Sequence, residues 1–152
     1  MKITWFGTAS LALESGDTRL LLDPFFRRNK KLPPTNPEDF WDYDALLITH
    51  GHFDHLLDVP RVMRADPNVC AYCTQTPRQS LMKAGVSGRR IHTVDFGDTF
   101  SIGAFTIRVF RGHHVDFNME YISNVVPSCV RQFTKSLSTA LAARPPVREP
   151  TL

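Results

Sequence analysis

Three of the chain's six histidines fall within six residues, His50-Gly51-His52-Phe53-Asp54-His55. Neutral imidazole and carboxylate are the ligands that zinc and similar divalent ions prefer. Crowding three imidazoles and a carboxylate is costly unless a cation sits among them. Solvated loop histidines are the plainer alternative. Four ligand-type side chains at tight spacing, directly after the apolar run Ala45-Leu46-Leu47-Ile48-Thr49, point instead to metal chemistry. A catalytic ion takes three protein ligands and keeps one position open. The cluster cannot give every ligand to one ion without strain, so a further histidine is expected from elsewhere. Arg111-Gly112-His113-His114-Val115-Asp116 follows a second apolar stretch in the same manner. Spacing alone does not choose between His113 and His114.

These groups need a scaffold, and the hydrophobic pattern supplies one. Residues 2–6 and 9–14 alternate as paired strands around Gly7, and 18–22 reads as a third strand ending at Asp23-Pro24. Residues 45–49 are short, apolar and unbroken, as in a strand buried on both faces. In an extended backbone His50, His52 and Asp54 would share one side. His55 joins them only if the chain turns there, and the spacing of Leu56, Leu57, Val59, Val62 and Met63 predicts a helix that makes it turn. A strand over 69–73, a helix over 77–84 capped by Thr76, and strands over 90–94, 99–102 and 105–110 follow. Residues 126–143 have helical composition. Strands first, then strand–helix alternation, indicate a layered α/β domain. Loops at strand ends are where such domains place their chemistry. The segment from Pro24 to Asp44 has four prolines and no clear periodicity, and long segments of this kind often cover a site.

Composition narrows the function classes. With 152 residues, 42% hydrophobic and 22% charged, the chain suits one ordinary domain. The net charge of +3 comes from scattered basic residues apart from Arg27-Arg28-Asn29-Lys30-Lys31, too short a stripe for a nucleic-acid footprint. No run of 18 apolar residues is present, so no membrane span is expected. Three cysteines without framework spacing favour reduced thiols and a cytoplasmic location.

The cluster matches in full the His-x-His-x-Asp-His motif of the metallo-β-lactamase-fold hydrolases, and the chain resembles that family. The opening Lys2-Ile3-Thr4-Trp5-Phe6-Gly7-Thr8-Ala9-Ser10 and Leu20-Leu21-Leu22-Asp23-Pro24-Phe25 look like its branch of small metal-dependent hydrolases that includes ascorbate-phosphate-lactonase-like proteins. The resemblance covers about residues 1–135 and is most specific over 49–55. It implies the N-terminal half of an αββα sandwich, a mixed sheet with helices on one face, with residues 136–152 as an irregular, truncated tail. It implies that His50, His52 and His114 hold a first ion, His114 being favoured over His113 by its Gly-x-His-hydrophobic context. Asp54 and His55 would bind a second ion, with Asp54 also holding or relaying a proton. Asp23 would orient ligands from behind, although Asp-Pro at a strand end is also an ordinary turn. The implied cofactor is one or two Zn2+ ions, with Mn2+ or Fe2+ as alternatives. The implied activity is attack of metal-activated hydroxide on a small ester, lactone or phosphoester.

The family's second half contributes a bridging aspartate and a late histidine. No histidine follows His114, and Glu120 and Glu149 are the only carboxylates after Asp116. The chain therefore reads as the N-terminal portion of a larger hydrolase domain. The alternative is a catalytically inactive metal-binding fragment. Either way a half-sandwich leaves apolar residues uncovered, and a homo-oligomer covering that face is expected. The expected partners are a small-molecule substrate, with neither nucleic acid nor membrane.

The remaining signals have plainer readings. Cys70-Ala71-Tyr72-Cys73 lacks a second pair and its thiols face opposite sides of a strand, as buried structural cysteines do. Phe25, Phe26, Phe40 and Trp41 suit either a pocket wall or core packing.

Overall fold

A computed structural model describes residues 1–26 and 35–112. Three strands, β1 (Lys2–Gly7), β2 (Ser10–Ser15) and β3 (Thr18–Leu22), form an antiparallel meander. β4 (Ala45–Ile48), β5 (Cys70–Cys73) and β6 (Ile91–Thr93) extend it in parallel, giving one sheet in the order β1-β2-β3-β4-β5-β6. β7 (Thr99–Ile102) and β8 (Phe105–Arg108) form a separate antiparallel hairpin. The helices are α1 (Phe53–Leu56), α2 (Val59–Ala65) and α3 (Gln75–Lys83), with single 3-10 turns at Pro37–Phe40 and Gly88–Arg90. The α/β expectation holds: this is a mixed sheet carrying few helices.

The period of two along each strand decides which face the helices cover. Ala12, Leu21, Leu46, Ala71 and Ile91 lie in one cross-strand row, each at most 5% exposed. Val59, Val62 and Met63 of α2 and Leu81 of α3 join the same core cluster. Full burial of a Leu contributes about 1.5–3 kcal/mol, so Leu21 and Leu46 make this face the main source of stability. Phe40 is wholly buried between Phe6 and Phe26, at ring-centroid distances of 4.9 and 4.7 Å. Phe26 and Phe40 are thus core residues, while Phe25 is buried edge-on to Phe53 and Trp41 is exposed.

The opposite face carries the row Trp5, Leu11, Leu22, Leu47, Tyr72 and His92. The β7–β8 hairpin covers part of it. Phe100 stacks on Tyr72 at 5.1 Å, and the Ala104 N–H donates to Thr18 Oγ1 at 3.0 Å. Gly103, with φ of +50°, turns the hairpin where a Cβ would collide with the Thr18 side chain. At the far edge, Ile3 and Trp5 remain 58% and 55% exposed.

Several expected boundaries move, each for a local reason. The apolar run over 56–63 makes two helices, because Pro60 lacks the N–H to bond back and instead sits in the first turn of α2. α3 starts two residues earlier than expected, with Thr74 rather than Thr76 at its N-cap. Pro77 fits its first turn, where N–H groups have no helical partner anyway. Arg90 belongs to the turn before β6, where its guanidinium donates to the carbonyls of Met63, Asp66 and Val69 that end α2 and the following loop. The strand expected over 105–110 ends at Arg108. The helix expected over 126–143 and the tail over 136–152 lie outside the described residues. No helix among the described residues is long and apolar enough to cross a membrane.

Candidate metal centre

β3 and β4 run parallel in register, Leu22 beside Leu47, so the residues leaving their carboxyl ends are neighbours. Asp23 leaves β3 with its N–H bonded to the Leu47 carbonyl at 3.0 Å and a φ of +42°, a left-handed conformation that Asp tolerates better than most. This bend sends the side chain inward, where it is 2% exposed. Thr49 and His50 leave β4, and His52 then caps α1 at the amino end. Asp54 and His55 sit in the first turn of that helix, and the His55 N–H bonds to the His52 carbonyl at 3.1 Å.

The helix corrects the shared-parity expectation. Asp54 follows helical rather than extended geometry, and the same turn brings His55 back onto the His50 side. Their rings lie 3.9 Å apart between centroids, and His50 and His52 lie 4.5 Å apart. Asp54 Oδ2 is 3.7 Å from His55 Nε2, too long for a hydrogen bond. His50, His52, Asp54 and His55 therefore crowd one corner of the sheet edge. His113 and His114 lie outside the described residues.

Asp23 organises this corner from beneath. Its Oδ1 accepts the Thr49 N–H at 2.8 Å, and its Oδ2 accepts the Thr49 hydroxyl at 2.7 Å and lies 2.8 Å from His55 Nδ1. Thr49 Oγ1 lies 3.1 Å from His50 Nδ1. Thr49 carries no signal in the sequence, because a threonine just after a strand is unremarkable by type. Asp58 was also missed. It is 5% exposed, and its Oδ2 accepts the Phe26 N–H at 2.8 Å, tying the segment after Asp23 to the start of α2. An acid inside the apolar stretch Leu56-Leu57-Asp58-Val59 was the available signal.

The donors fit a divalent ion in kind. His50 and His55 each engage an oxygen through Nδ1, which directs Nε2 to any ligand, the arrangement found where histidines bind metal. Among the described residues, no group of three His, Cys, Asp or Glu is placed to hold an ion by itself. Any closed set would draw on a ligand beyond them.

Similarity to known proteins places the chain in a lineage. Residues 18–125 match the model of the beta-lactamase superfamily domain, a span that includes Asp23, the whole histidine cluster and His114. The chain belongs to the β-lactamase superfamily. Within it, the chain is 32% identical over 126 residues to a UPF0173 metal-dependent hydrolase of Xanthobacter autotrophicus, covering 75% of this chain and 48% of the relative. It is 36% identical over 104 residues to a UPF0173 metal-dependent hydrolase of Haloarcula marismortui, covering 66% and 42%. In fold it is similar to a metallo hydrolase of the archaeon Ignicoccus hospitalis, with a TM-score of 0.53, 22% identity, and 66% and 42% of the two chains covered. This β-lactamase superfamily chain thus spans about half the length of the curated relatives it matches.

Proposed function

We propose that this chain supplies the first-half ligands of a metal-dependent hydrolase acting on a small ester, lactone or phosphoester. The carrying observation is the convergence of His50, His52, Asp54 and His55 at the carboxyl edge of β4, above a buried carboxylate that already orients one of them. The names of the relatives from Xanthobacter and Haloarcula support the same reading. We assign His50 and His52, with His114, to one ion, and Asp54 and His55 to a second. A divalent ion in such a centre lowers the pKa of water toward 7 and offsets negative charge developing on the substrate.

The chain's own residues carry the remaining work. Asp54, whose side chain is 29% exposed, is assigned to hold a proton and pass it to a departing group. Asp23 holds the His55 ring through Nδ1. Zn2+ suits the nitrogen-rich set best, with Mn2+ or Fe2+ as alternatives.

Elemental analysis of the purified chain tests the reading. One or two ions per chain, lost together with hydrolysis of small test esters in His52→Ala, supports it. Metal bound without hydrolysis favours the inactive-fragment reading, which the span of only about half the relatives' length makes a specific alternative. Activity that persists in His52→Ala at full metal content overturns the assignment.

A further inference from the structure

We infer that Thr49 is a positioning residue whose hydroxyl extends the reach of Asp23 to His50, so that one buried carboxylate fixes the tautomers of two imidazoles. Its consequence for metal binding rests on the reading above, but its premise is hydrogen-bond geometry alone. A hydroxyl has one proton to donate. Thr49 Oγ1 is 2.7 Å from Asp23 Oδ2, 3.1 Å from His50 Nδ1 and 3.2 Å from His55 Nδ1. An ionised carboxylate only accepts, and it is the nearest of the three, so the proton points to Asp23. The Thr49 oxygen then has only lone pairs left, and His50 Nδ1 must carry the hydrogen that meets it.

His55 reaches the same state directly. Its Nδ1 lies 2.8 Å from Asp23 Oδ2 and donates to it, in a pocket where its side chain is 14% exposed. Both rings therefore hold their proton on Nδ1 and present an Nε2 lone pair. The Thr49 N–H, bonded to Asp23 Oδ1 at 2.8 Å, anchors the backbone under the hydroxyl. Threonine suits the post because its branched Cβ restricts χ1 and keeps the hydroxyl aimed. Sequence order makes the device compact: the residue just after β4 relays to its own neighbour, while α1 returns the second ring to the carboxylate.

Thr49→Val keeps the shape and removes only the hydroxyl. Long-range 1H–15N NMR of the full chain after chelator treatment reads the tautomers without any metal. In the wild type, His50 and His55 should both show the Nδ1–H form. In Thr49→Val, His50 should move toward Nε2–H while His55 stays, and Zn2+ affinity by calorimetry should fall roughly 10–100-fold. Thr49→Ser should restore both readouts.

Wild-type His50 protonated on Nε2, or a Thr49→Val chain with unchanged tautomer and unchanged Zn2+ affinity, overturns the inference. Should Thr49→Val fail to fold, the wild-type spectrum and Thr49→Ser still decide it. A wild type with both Nδ1–H tautomers that binds no Zn2+ upholds the network and sinks the metal reading, so the two failures are distinct.

Discussion

Asp23 and His55 stand 32 residues apart in the chain and 2.8 Å apart in the fold. Their contact joins the end of one strand to the first turn of a helix that follows the neighbouring strand. Asp23 also takes both polar hydrogens of Thr49, so a single buried carboxylate holds the base of the whole corner.

Removing that carboxylate should disturb metal binding and stability together. Asp23→Ala leaves the Thr49 N–H and hydroxyl without their acceptor, each costing about 1–3 kcal/mol when buried. Asp23→Asn keeps an acceptor oxygen and should cost less stability, yet still weaken Zn2+ binding by roughly 10–100-fold. Urea unfolding of the metal-free chain and calorimetric titration measure the two effects separately.

Zinc should stabilise the chain by mass action. At a free ion concentration one hundred times the dissociation constant, the gain is about 2.7 kcal/mol. The thermal midpoint should rise on adding Zn2+ and fall back with chelator. In His52→Ala the rise should be lost or much reduced while the metal-free midpoint stays near wild type. An equal rise in both proteins would count against His52 as a ligand.

The sheet core makes a prediction independent of metal. Leu46 is fully buried at the centre of the helix-covered row. Leu46→Ala should cost about 2–5 kcal/mol through lost burial and the cavity left behind. Exposed Phe96 should tolerate the same truncation almost without loss. Denaturant midpoints of the two variants give the comparison.

Cys73 sets a boundary on the alkaline side. Burial raises its thiol from an ordinary 9.0 to about 11, partly opposed by Arg78. The unfolded chain therefore releases this proton first, binding fewer protons than the folded chain between about pH 9 and pH 11. Stability is full below pH 9 and falls as pH rises through that window. Cys73→Ala should flatten the decline. At pH 8 a thiol reagent should label the half-buried Cys70 well before Cys73.

The exposed edge at Ile3 and Trp5 belongs to a face that continues inward as the row Leu11, Leu22 and Leu47. We propose that a second copy covers it, since a two-fold pairing sets the same apolar row against itself. Light scattering should show concentration-dependent dimers, and Trp5→Glu should shift them to monomers. Monomers at all concentrations in the wild type would rule the pairing out.

Much of the scaffold was legible in the sequence because its signals are local. Alternation marks β1 and β2, an unbroken apolar run marks β4, and the close spacing of His50, His52, Asp54 and His55 marks the loop that follows it. Helix ends were read less well, since Pro60 and Pro77 act through which carbonyls they leave unbonded rather than through hydrophobic pattern. The single tight turn at α1, which returns His55 to His50, is set by where that helix begins.

What the sequence determined alone was the clustering of ligand-type residues, four of them within six positions. What only the tertiary structure decided was the support beneath it. Asp23, Thr49 and Asp58 are ordinary residues at strand and helix ends, and their roles arise because β3 and β4 lie in register. Hydrogen bonds between residues 26 or 32 positions apart form only once the sheet has brought those ends together, so no spacing along the chain records them.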